Sequence, residues 1–140
     1  MLALDPQYGC AIGIDLTPGD CRATVVNING ETLWRGTLEV DTNAGHGSAT
    51  VRGAIEEAVR IAADAGLPIF GIGVAVPGRV SPDNGTIIES HSLGLSNFDL
   101  FADTAGWLSL PLLVDNDARC CAYGEAALAR EAALAREAAL

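Results

Sequence analysis

The densest chemistry in this sequence is Asp115-Asn116-Asp117, set between the apolar Leu112–Val114 and a helix-forming run from Ala118. The end of a strand and the start of a helix form the usual ligand edge of an α/β sheet. Asp117 there has two readings that do not exclude each other. Asp and Asn are favoured helix N-caps. A carboxylate in that place can also act as a general base on a hydroxyl proton, with the Asn116 amide hydrogen-bonding a polyol.

A second group is Asp15-Leu16-Thr17-Pro18-Gly19-Asp20-Cys21-Arg22, between two β-rich runs. Turn N–H groups can cradle phosphate, which makes Asp15, Thr17 and Gly19 the phosphate candidates. Pro18 has no N–H to offer, and Asp20 puts negative charge where a phosphate would lie, so an ordinary hairpin turn is the plainer reading. The third group, Val76-Pro77-Gly78-Arg79, follows an apolar run. Glycine lets a ligand approach the backbone closely, but proline and glycine also simply make turns. His46 and His91 have no second ligand near either, so no metal site is expected. His91 stands in the polar stretch Glu89–Ser92, and a surface loop is its default place. Cys10, Cys21, Cys120 and Cys121 lack metal spacing and read as small, reduced core residues of a cytoplasmic protein.

Composition narrows the classes. All 8 basic residues are arginine, so a P-loop lysine, a Schiff-base lysine and a protein-kinase strand lysine are excluded. With 18 acidic residues the net charge is -10, which argues against nucleic acid as a partner. No apolar run reaches the roughly 18 residues of a membrane span, and no basic leader precedes one, so neither a span nor a signal peptide is expected. At 140 residues and 49% hydrophobic, the chain can build one domain with a core.

These groups need elements to hold them. Residues 10–17 and 20–28 read as strands, and Asn29-Gly30 signals a two-residue hairpin into a third strand over 31–40. Residues 41–47 read as a loop. Ser48 is placed to cap a helix that carries Ala54, Ile55, Ala58, Val59, Ile61 and Ala62 on one side and stops at Gly66. The run 69–76 (IFGIGVAV) is apolar throughout, the pattern of a strand covered on both faces. A turn at 81–85, a strand at 86–88, a short helix over 97–106, a strand at 112–114 and a helix from 118 to the end complete the reading. A three-strand meander followed by crossover units implies a mixed sheet.

The tail repeats EAALAR twice and then EAAL, either a local expansion or a designed helix. A six-residue step turns a helix by about 600°, so Leu128, Leu134 and Leu140 point three ways and make no single apolar stripe.

Together, the groups resemble the ROK family of repressors and sugar kinases. Residues 12–26 (IGIDLTPGDCRATVV) look like its opening Asp-x-Gly-Gly-Thr hairpin, and 71–85 (GIGVAVPGRVSPDNG) resemble its Gly-x-Gly-x-x-x-Pro-Gly strand and turn. Residues 92–100 (SLGLSNFDL) stand where the family often has Asn-Leu-Gly-Trp, and 114–125 (VDNDARCCAYGE) are similar to its Asn-Asp-Ala…Gly-Glu signature. The likeness covers about residues 8–125. It divides the chain into a ROK-type N-terminal lobe, 1–125, and an Ala-rich helical tail, 126–140.

The resemblance implies an α/β, actin-like ATPase (ribonuclease H-like) lobe with a long C-terminal helix. It also implies a sugar at Gly78, Ser92, Asn116 and Asp117, with Asp117 as catalytic base in a kinase and Asp15 near magnesium and phosphate. Thr17-Pro18-Gly19 replace the family's Gly-Gly-Thr, and Ser92 and Leu95 replace its usual Asn and Trp. The second lobe's zinc-binding cysteines, sugar-binding Glu and His, and adenosine site have no counterpart here. Residues 4–9 resemble the connector that follows a repressor's winged-helix domain. The expectation is a regulator's sugar-sensing lobe, truncated at both ends, with no cofactor and a weakly bound sugar as its partner. A glucokinase-like sugar kinase lobe using ATP and magnesium is the alternative, and an assembly module built on the repeat helix, with a homo-oligomer left open, is the third.

Overall fold

Alternation builds the first two strands. In β1 (Cys10–Thr17) Cys10, Ile12, Ile14 and Leu16 are buried, and in β2 (Asp20–Asn27) Cys21, Ala23 and Val25 are buried. A two-residue period puts each set on one face. The structure, a computed structural model, describes residues 5–17, 19–40, 47–81 and 83–138. β1 and β2 pair antiparallel with Thr17 opposite Asp20. β3 (Thr32–Thr37) pairs antiparallel with β2 and is shorter than predicted. The Asn27 N–H donates to the Glu31 carbonyl at 2.9 Å and closes the loop before it, leaving three residues, 28–30, inside, not two. Only Gly30 in it has a positive φ, 81°, the hairpin class that ends on a left-handed glycine. Buried Asn27 organises it, its Oδ1 accepting from the N–H groups of Asn29 and Glu31 at 3.0 Å each.

Helix α1 (Gly47–Ala63) buries Val51, Ala54, Ile55, Ala58 and Ala62 on one side, and packs that side against β1 and β2. Each large side chain among these contributes on the order of 1.5–3 kcal/mol through burial. Ser48 lies inside the helix and does not cap it, because α1 already includes Gly47. The rest of the predicted 41–47 loop, His46 included, lies outside the described residues. Gly66, at φ 72°, ends the segment as expected.

β4 (Ile69–Val76) then runs parallel to β1. A small antiparallel sheet follows, of which the sequence reading contained only the strand at 86–88: β5 (Arg79–Val80), β6 (Ile87–Ser90) and β7 (Leu95–Phe98). Asn97 and Phe98, read as helix, belong to β7. The helix there, α2 (Leu100–Thr104), is capped by Asp99, which accepts from the Ala102 N–H at 3.1 Å. β8 (Leu112–Asn116) runs parallel to β4, and α3 (Asp117–Ala138) leaves from its end. The main sheet has the order β3-β2-β1-β4-β8. It is mixed, with a meander on one side and parallel crossovers on the other.

Only one face of this sheet is covered by a described helix. Ile72, Val74 and Val76 of β4 join the core, while Gly71, Gly73 and Ala75 stay partly exposed and Leu113 of β8 is 76% exposed. The prediction of a strand covered on both faces is corrected: the second face of IFGIGVAV is apolar only as glycine and alanine.

Candidate functional site

Parallel pairing carries the site residues to one edge. Asp15 of β1 lies level with Ala75 of β4, and Ala75 lies level with Asp115 of β8. Two strand spacings place the Asp15 and Asp115 Cα atoms about 10 Å apart. One residue further, Asn116 is level with Val76, and the chain turns into α3. An open cavity of about 990 Å³ lies along this edge and the uncovered sheet face. Its floor includes Gly13, Gly73, Ala75 and Leu113, and its rim Asp15, Arg22, Asp115 and Asp117.

The cap of α3 is Asn116. Its Oδ1 accepts from the Arg119 N–H at 3.1 Å, three residues on, the geometry of an N-cap. The capping reading made for Asp117 therefore belongs one residue earlier. Asp117 is the first helical residue; its Oδ1 accepts from the Ala118 N–H at 2.8 Å, and its side chain borders the cavity. The Asn116 amide is also committed on its other side, where Nδ2 donates to the Gly78 carbonyl. That bond ties the Pro77-Gly78 turn to the start of α3.

Neither Asn116 nor Gly78 lines the cavity, and the other predicted site residues are spread more widely. Thr17 and Gly19 stand at the β1–β2 turn, outside the cavity lining, and Pro18 lies outside the described residues. Ser92 is exposed in the turn between β6 and β7 and does not line the cavity. His91 is exposed, with Nε2 2.9 Å from the Glu89 carboxylate. No group of three or more metal-ligating side chains occurs among the described residues.

The sequence reading missed several residues at this edge. Arg22 lies directly across the ladder from Asp15, and its Nε bonds Asp20 at 2.8 Å. A two-residue turn at 18–19 would have given that pairing. Asp115 accepts from the Asn116 N–H at 2.8 Å and pairs with Arg119 at 3.2 Å. Cys120 and Cys121 line the cavity, where they were read as core. Burial pushes the Cys120 thiol up, and the nearby Asp115 charge adds to that. A thiol shifted that way is a poor nucleophile at neutral pH.

A magnesium-nucleotide fits this edge badly. The hairpin turn that would meet its phosphates carries the Asp20 carboxylate, engaged by Arg22 and by the Thr37 hydroxyl at 3.4 Å. Phosphate sites gather N–H donors and cations, not carboxylates.

A mixed sheet with meander, crossovers and an acidic edge after the parallel strands is the first lobe of an actin-like ATPase fold, the fold of the solved sugar kinases it superposes on. The ROK family model matches residues 11–136, and the chain belongs to that family. A xylose repressor of Caldicellulosiruptor bescii is 27% identical over 127 residues, 89% of this chain and 32% of the repressor. A ROK family glucokinase from Streptomyces griseus, solved with glucose and AMPPNP, superposes with a TM-score of 0.67 at 23% identity, over 84% of this chain and 36% of that one. A ROK family transcriptional regulator homologous to the E. coli MLC protein gives 0.66 at 22% identity, over 80% and 28%. The chain spans about a third of the length of the curated relatives it matches. No helix among the described residues is long and apolar enough to cross a membrane.

Proposed function

We propose that this chain is the sugar-sensing N-terminal lobe of a ROK-family transcriptional regulator. The observation that carries the choice of regulator over kinase is Asp20: a carboxylate, held by Arg22, at the turn where a kinase must receive phosphate. Relatives of both kinds exist, a xylose repressor and a glucokinase among them. The sugar half-site consists of Asp117 and Asn116 at the start of α3, the Pro77-Gly78 turn, and Ser92 as an outer contact. Asp117 accepts hydroxyl hydrogen bonds, each contributing about 1.5–3 kcal/mol for a charged acceptor, and neutral contacts add roughly 0.5–1.5. An open half-site of this kind binds a hexose no more tightly than about 1 mM, near 4 kcal/mol.

Chemical-shift perturbation with a hexose panel tests this reading. The expected result is a cluster of shifts at Gly78, Asn116 and Asp117 that Asp117→Ala abolishes in a still-folded protein. No perturbation at high sugar concentration would refute the sugar-sensing role.

A glucokinase-like kinase lobe is the second reading, favoured by Asp15 and Asp117 lining one cavity. In it Asp117 takes the proton of the attacking sugar hydroxyl, and ATP and magnesium enter only there. Sugar-dependent ADP formation, lost on Asp117→Asn, would establish it over the regulator reading.

A further inference from the structure

The Pro77-Gly78 turn is held by two side chains that come from different elements. Asn116 of β8 donates to the Gly78 carbonyl. Ser90 of β6 donates its hydroxyl to the Pro77 carbonyl at 2.5 Å, and Ser90 is 1% exposed. Two successive carbonyls are thus engaged by two donors. A trans peptide is planar, with its N–H directed opposite its C=O, and no described peptide bond is cis. Fixing the Pro77 carbonyl therefore also fixes the Gly78 N–H, and fixing the Gly78 carbonyl fixes the Arg79 N–H. The spacing leaves little slack. A Cβ on Gly78 would sit 3.0 Å from both Cα and Cβ of Ser90 and closer still to the Glu89 carbonyl oxygen.

We propose that Ser90 is a positioning residue for the sugar half-site: through the Pro77 carbonyl it sets the first peptide plane of the Pro77-Gly78 turn, and so the direction of the Gly78 N–H, while Asn116 sets the plane that follows. Ser90 does not touch the ligand. Its hydroxyl is directed into the protein, and its partner is backbone. The inference deepens the sugar-sensing reading and rests on it for the ligand. The small antiparallel sheet thereby gains a function, since its strand β6 carries the donor that orients the end of β4. Ser92, two residues on, lies in the exposed turn of the same hairpin.

The experiment compares Ser90→Ala with Thr104→Val. Thr104 is also buried, and its hydroxyl donates to the Leu100 carbonyl at 2.8 Å in α2, so the control removes a similar bond elsewhere. Amide spectra of the sugar-free proteins come first. Ser90→Ala is expected to move the Gly78 amide resonance, and Thr104→Val to leave it in place. Hexose titration follows, with affinity expected to fall about tenfold in Ser90→Ala and to stay at the wild-type value in Thr104→Val. Ser90→Cys keeps a weak donor, so its amide shifts should be intermediate; it also serves if the alanine variant does not fold. An unmoved Gly78 amide in the Ser90 variants, or equal affinity loss in Ser90→Ala and Thr104→Val, would overturn the proposal. If the wild type binds no hexose, the sugar-sensing reading fails, and the amide comparison alone still decides whether Ser90 sets the turn.

Discussion

Gly78 has φ 146°, and a Cβ there would clash with the Glu89 carbonyl oxygen. Backbone oxygen of a paired strand cannot step aside as a flexible side chain can. Gly78→Ala is therefore expected to cost more than about 2 kcal/mol from strained backbone and a steric clash together, read as a drop in the urea midpoint. An unchanged midpoint would mean the turn is looser than drawn. The glycine was legible in the sequence as a permissive turn residue, but its reason was not. The atom it makes room for lies eleven positions away, in a sheet that no periodicity announced. The capping of α3 shows a similar limit. Asn116 and Asp117 are both good N-caps, so residue type cannot choose between them. The choice is made by tertiary pairing, which extends β8 to Asn116 opposite Val76.

Among the elements, length and regular burial decided what could be read. β1, β2, α1 and β4 each carry at least three buried positions at a regular period, and the sequence reading located all four. β5, β6 and β7 have two to four residues each, too short for alternation to stand out. The acidic edge was legible as strand-then-helix grammar, whereas Arg22 opposite Asp15 needed the register. Helix α3 is the reverse case, legible from composition but with little to hold it. It meets the sheet through β8 and β4, and every described side chain from Ala126 onward is exposed. Leu134 is 57% exposed, as expected of a six-residue step that makes no apolar stripe. Deleting residues 131–140 is expected to change stability by no more than about 0.5 kcal/mol, with the hexose-site amides unmoved. Loss of folding or a change in oligomeric state on truncation would show that the repeat helix is packed in solution.

At the scale of the whole molecule, the core lies between α1 and one face of the main sheet and continues into the small sheet and α2, and two of its members are thiols. Cys10 is 0% and Cys21 1% exposed. Burial pushes both thiols up, and the charges of Asp15 and Asp20 push Cys21 further. The sign for stability follows from proton counts. Above the ordinary thiol range, about pH 8.5, an unfolded chain has released these protons while the folded chain keeps them. Unfolding then releases protons, so stability falls as pH rises. The contribution is complete below the unfolded pKa and is lost as pH climbs through the raised folded values. Each thiol contributes a slope of at most about 1.4 kcal/mol per pH unit in that window. Thermal unfolding measured from neutral pH to about pH 10 should show Tm declining beyond the thiol range. The decline should be shallower in the Cys10→Ala, Cys21→Ala double variant, whatever that variant loses at neutral pH through its smaller side chains. Equal alkaline slopes in the two proteins would place the proton release elsewhere and leave the buried thiols as packing alone.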